Sequence, residues 1–303
     1  MSAPTLERAR LARGPGDRAG SAARAASSWS RRQVFLTNLR SVRGRAYPRY
    51  RALVREKSWL LFEILLPFLS TAAFVFVYRS LRAPEEYVGF VVLGGAMTAF
   101  WLNIIWMMAN QLYWEKSQGN LELYFAAPMH FMAILLGMAL GGMVMSSTRA
   151  FAVLLIATAI FGVTFQVAQW GLVIAVFALT LGALYGVGMV LASLFLVWGR
   201  EAFNVSQVLT EPIYFVSGVN FPVARLGLLG ALSVGVLPLA TGLDAMRQLV
   251  FAGAPFPVGT PAPELELAIL AAMTLISTAI ARLMLVSMER RARRDGRLTV
   301  RWQ

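Results

Sequence analysis

The chain has 303 residues, 58% of them hydrophobic and 14% charged, with a mean hydropathy of +0.63. Soluble domains carry about 25% charged residues, so this deficit argues for lipid as the solvent of most of the chain. A net charge of +13 would suit nucleic acid, but 14 of the 28 Lys and Arg lie in residues 1–57 and 6 follow Met288, while the aromatic residues sit mostly in apolar runs, against a base-stacking platform.

Residues 1–30 are rich in Ala, Arg, Gly and Ser and hold too little apolar surface to order themselves, so they read as a disordered cytoplasmic tail. They lack the compact apolar core of a cleaved signal peptide. In residues 31–57, Val34, Phe35, Leu39 and Val42, then Tyr50, Leu53 and Val54, repeat at helical spacing with arginines between them. This predicts a basic amphipathic helix in the headgroup region, bent at Pro48.

Residues 58–288 hold six apolar segments, each judged against the roughly 20 residues that cross the hydrocarbon. They run about Trp59–Tyr78, Tyr87–Tyr113, Phe131–Phe161, Trp170–Trp198, Phe203–Val219 and Leu265–Met288. The predicted fold is an all-α membrane protein of six transmembrane helices. An even number puts both basic ends, including the tail 289–303, on the cytoplasmic side, as the positive-inside rule requires. Between the fifth and sixth segments, residues 220–263 carry six prolines and an apolar run too short to cross. They predict two short helices dipping back from the outer surface, a region suited to an external gate.

Between the second and third segments lies a polar stretch, Trp114 to Pro128. Leu121, Tyr124 and Phe125 fall on one helical face, with Glu115, Lys116, Gln118 and Glu122 supplying polar groups. Gly119 permits a bend and Pro128 blocks continuation. Two readings fit: a solvated loop between spans, or a docking helix gripped by a soluble partner. Within the spans, Asn103, Trp106 and Asn110 share a face, as do Asn204, Gln207, Glu211 and Tyr214. Either set could line a substrate pathway or supply hydrogen bonds between helices. Glu211 reads as a pathway group or as half of an ion pair with Arg149, whereas Glu63 is shallow enough to reach the interface.

There is no cysteine and one histidine, His130, so a disulfide framework, thiolate chemistry and a histidine-based metal site or triad are excluded within one chain. No Gly-x-x-x-x-Gly-Lys-Ser/Thr phosphate loop precedes either lysine, Lys57 or Lys116. Two rivals to a permease stay open: an ATP-independent membrane protein, such as a lipid scramblase or embedded enzyme, and a purely structural membrane subunit.

The stretch Glu115-Lys116-x-x-Gly119-x-Leu121-Glu122-Leu123, with Pro128 behind it, resembles a motif of the ABC type-2 family of export permeases. So do Ser217-Gly218-x-x-Phe221-Pro222 and Leu237-Pro238-Leu239-x-x-x-Leu243-Asp244-Ala245-x-Arg247. The resemblance covers about residues 31–290. It implies a homodimer, or a pair of related permeases, in the inner membrane, bound to separate ATPase subunits that carry the ATP and magnesium. It makes residues 114–128 the coupling helix, with Glu115, Lys116, Gly119, Leu121, Glu122, Tyr124 and Phe125 in contact with the ATPase. Ser217, Gly218, Phe221 and Pro222 then belong to the external gate, and the cargo is an amphipathic, lipid or saccharide-type substrate moved outward.

Overall fold

The computed structural model describes residues 31–55, 57–120, 124, 131–167, 169–198, 200–251 and 261–294. The terminal tail at 1–30 and residues beyond Arg294 fall outside these. Helix α1, Arg31–Arg55, is continuous through Pro48, where a bend was predicted. Pro48 removes the hydrogen-bond partner of the Gly44 carbonyl, and both residues lie on the exposed side of α1, where solvent can satisfy that group. The opposite side of α1 packs along α5. There the missing side chain of Gly137 leaves room for the main chain of Val42, whose carbonyl would lie 2.7 Å from an added Cβ. Phe35 and Leu39, 66% and 55% exposed, leave an apolar strip outward, as an interfacial helix requires.

The spans follow. α2 is Lys57–Ser80 and α3 is Glu85–Leu102; a π-helical segment, Asn103–Ala109, leads into α4, Asn110–Ser117. α5 is Phe131–Phe161, α6 is Trp170–Trp198, α7 is Arg200–Val216 and α10 is Pro263–Arg294. Among the described residues no strand forms, only an isolated bridge between Gln166 and Phe251. Five helices are long and apolar enough to cross a bilayer. The sixth expected span, α7, has 17 residues, about 26 Å at 1.5 Å per residue, a little short of the ~30 Å hydrocarbon core. α10 outruns its expected end at Met288 and carries the basic cluster on helix as far as Arg294.

The predicted pair of short helices between the fifth and sixth segments is present. α8, Leu228–Val236, and α9, Pro238–Val250, meet at 103°, and neither is long enough to cross alone. Pro238 starts α9 where its missing N–H costs nothing. α9 is buried along most of its length, packed on α3, α6 and α10.

α3 is the axis of the molecule: 88% of the most apolar stretch of α3 and its π-helical continuation is buried, against 22% for α2 and for α10. Close approach depends on small residues, the usual device where lipid supplies no hydrophobic drive between helices. Gly95 meets Thr71 of α2, and Gly186 of α6 meets Ser277 of α10. The outer faces of α2 and α10, with Leu61, Phe76, Leu275 and Leu283 exposed, suit a lipid boundary.

Candidate functional site

Four of the polar groups that interrupt this apolar body bear on the expected site residues, and each is held differently. The first is the cytoplasmic elbow that follows α4. Gln118 and Gly119 turn the chain, with Gly119 at φ +76°, a conformation few side chains adopt. Leu121, Glu122, Phe125 and Pro128 of the expected docking helix lie outside the described residues, as does the side chain of Lys116.

Glu115 was expected on the rim of a docking surface, but it is 5% exposed. Its Oε1 accepts from Arg45 Nη2 of α1 at 2.7 Å. Its Oε2 accepts from Tyr124 OH at 2.7 Å and Asn120 Nδ2 at 2.8 Å. The Arg45 guanidinium also lies 4.6 Å from the centre of the Tyr124 ring. Glu115 and Tyr124 are therefore turned on each other and on α1, because a carboxylate this buried needs several donors. Among the described side chains of the elbow, Trp114 and Gln118 are exposed. Sequence reasoning missed Arg45, although a signal existed. It shares the half-buried face of α1 with Val34, Asn38 and Val42, whereas Arg40, Arg43 and Arg51 are exposed.

The second group lies within the membrane. Arg149 of α5 was the expected partner of Glu211 but pairs instead with Glu63 of α2, Nη1 to Oε1 at 2.6 Å, their side chains 5% and 13% exposed. Glu63 is thus drawn inward rather than reaching the interface, because only a carboxylate can offset an arginine buried at that depth. One turn away, Ser146 Oγ and Tyr185 OH lie 3.2 Å apart, and Tyr185 OH donates to Asn103 Oδ1 at 3.1 Å. Asn103 is spent on a bond between helices, and Asn110 is equally buried. The side chain of Trp106 lies outside the described residues. Asn103–Ala109 is π-helical, and a π-turn holds more residues than the α-turn on which their common face was drawn.

α7 carries the third group. Asn204 and Glu211 are exposed, Tyr214 is half-buried, and the side chain of Gln207 is outside the description. Tyr214 OH points to the Thr98 carbonyl of α3 at 3.5 Å. Glu211 stands eleven residues past Arg200, about 16 Å along the helix, and is exposed. Among the described residues no ion pair involves it.

The fourth group surrounds the turn after α7. After α7, Gly218 at φ +63° turns the chain, and an added Cβ there would come within 2.8 Å of the Phe221 carbonyl. Arg247 of α9, 1% exposed, reaches into this turn. Its Nη1 donates to the carbonyls of Gly218 at 2.7 Å and Phe221 at 3.2 Å; its Nη2 donates to those of Val219 at 2.7 Å and Phe90 at 2.9 Å. Tyr78 OH adds a bond to the Asn220 carbonyl at 2.9 Å, and Gly94 of α3 lets the Val219 carbonyl sit directly on the helix. Ser217 and Gly218, expected at a gate, are buried in this clamp, with Phe221 half-buried and Pro222 buried beside them.

Compared with known families, residues 49–251 match the profile described as ABC-2 type transporter. No curated protein matches the chain.

Proposed function

The chain belongs to the ABC-2 type transporter family, and on that premise we propose that this transmembrane subunit is the permease of an ATP-driven exporter. It works as a homodimer, or beside a related permease, with ATP and magnesium bound by separate ATPase subunits. The observation that carries this reading is Glu211. A carboxylate at the bilayer centre costs about 2.5–3.5 kcal/mol by insertion scales, so at its depth on α7 an outward-facing Glu211 needs water or a second protein surface. Two α7 helices facing each other across an aqueous path supply both, with the exposed Asn204 beside Glu211 and an amphipathic, lipid or saccharide-type cargo between them.

The elbow is the ATPase contact. Trp114, Leu121 and Phe125 supply apolar anchors, while Lys116 and Glu122 set register at the rim, the helix-in-groove mode of recognition. Gly119 gives the turn its freedom. Glu115 and Tyr124 act from behind, fixing the elbow to α1 through Arg45. Movement imposed there enters α4, crosses the π-helical joint and passes along α3 to the Arg247 clamp, because α3 runs through that joint into α4 and meets the clamp at Phe90 and Gly94. The basic ends support cytoplasmic termini by the positive-inside rule, in a cytoplasmic membrane.

The test is export of a fluorescent amphiphile in vesicles that hold the chain and the ATPase co-purified with it. Glu211→Gln should preserve assembly and lower ATP-dependent export. Equal movement of a fluorescent lipid with and without ATP would favour a scramblase instead.

A further inference from the structure

α5 and α6 are consecutive in the chain, yet they scarcely touch. The linker 162–169 holds their outer ends apart, and its Gln166 N–H donates to the Val250 carbonyl of α9 at 2.9 Å. Between the two helices opens a cleft of about 270 Å³ whose walls expose no polar atom. Ala96 and Met97 of α3 line it, with Ala150 of α5 and Phe165 of the linker. Leu154, seven residues or about 10 Å before the outer end of α5, lines it with Phe165, Val167 and Trp170 of the connection to α6, so the cleft belongs to the outer half of the bilayer. Phe151 and Ile174, on the facing helices, are 53% and 64% exposed at its mouth.

We infer that this cleft seats an acyl chain of an outer-leaflet phospholipid. A polar ligand entering it would lose its hydrogen bonds to water and gain none. A helix of a second copy, about 10 Å across, is too wide for the volume. Its mouth opens between two lipid-facing helices, where acyl chains are the surrounding medium, and a chain fills an apolar groove that would otherwise forfeit dispersion contacts. The chain would touch Ala96 and Met97, which are 4% and 2% exposed and lie on the helix that runs from the elbow to the Arg247 clamp. Lipid packing would thereby reach the axis of the molecule. The inference needs membrane insertion alone and stands apart from the pathway along α7.

The experiment uses the full chain in nanodiscs containing a phosphatidylcholine with a diazirine near the end of one chain, the adducts being mapped by mass spectrometry. Adducts should appear on the α3 stretch Leu93–Phe100 as well as on Leu275 and Leu283 of the outer face of α10. Ala150→Phe, which fills the cleft, should lower the α3 adducts about tenfold, equivalent to about 1.4 kcal/mol of chain binding, and leave those on α10 unchanged. Leu154→Trp gives the same result by a second route should Ala150→Phe fail to insert, which the α10 adducts would reveal. An unlabelled α3 in the native chain would overturn the inference. So would α3 labelling that survives both variants, or labelling of α3 by a water-soluble diazirine.

Discussion

At the cytoplasmic end of the α3–α4 run a carboxylate, Glu115, is held by three side chains; at the external end an arginine, Arg247, is held by four main-chain carbonyls. The elbow knot is made of charges and hydroxyls, so it responds to charge, and its members can be exchanged in kind. The external clamp depends on the planar fork of one guanidinium matched to a fixed array of carbonyls, and no exchange of side chains rebuilds it. The joint proposed to meet the ATPase is tied by separable side chains, while the turn after α7 is tied to the backbone itself.

Breaking the clamp should have the largest effect. Arg247→Met leaves four buried carbonyls short of donors and should cost about 3–5 kcal/mol, the loss seen when one partner of a buried charged contact is removed. It would be measured as a fall in Tm and in folded yield from detergent. Arg247→Lys should recover only part, since an ammonium cannot span the fork. The elbow should lose less. Glu115→Ala removes the acceptor of three bonds while Arg45 keeps 30% of its side chain exposed, so about 1–3 kcal/mol is expected. Exchanging the pair, Arg45→Glu with Glu115→Arg, should recover part of that Tm. Recovery at the elbow together with none from Lys at the clamp sharpens the contrast, and equal behaviour at both ends breaks it. The smallest effect is expected from Lys116→Ala. A rim charge should change ATPase binding by less than about 1 kcal/mol, mainly through association rate and salt dependence, measured by surface-capture kinetics at two ionic strengths.

Much of the fold could be read from hydropathy. The third and fourth spans begin and end where their apolar runs do, at Phe131–Phe161 and Trp170–Trp198. The external helices α8 and α9 were legible because Pro222 and Pro238 bracket a run too short to cross. Three features were hidden for physical reasons. The π-helical turn at Asn103–Ala109 leaves no mark on composition, because it is chosen by packing. Arg45–Glu115 and Arg149–Glu63 join residues far apart in sequence, and a hydropathy scan ranks each charge alone without its partner. Arg247 stood in a recognised motif, but its partners are carbonyls, which every residue has, so its role emerges only once α9 is folded under the turn. The elbow was read as a face offered to a partner; its inward carboxylate became visible only when α1 was laid against α5.

The central claim is that the polar side of α7 faces an aqueous path which the ATPase opens and closes. The chain contains no cysteine, so Glu211→Cys can be labelled alone. In vesicles holding the chain with its co-purified ATPase, the rate of reaction with a hydrophilic maleimide would be compared in nucleotide-free vesicles and in vesicles trapped with ATP and vanadate. The account predicts reaction in at least one state and a rate that differs about tenfold between them, equivalent to about 1.4 kcal/mol of altered access. A Glu211→Cys thiol that reacts in neither state, while one introduced by Gln118→Cys at the elbow is labelled normally, would place the polar side of α7 away from water and contradict it.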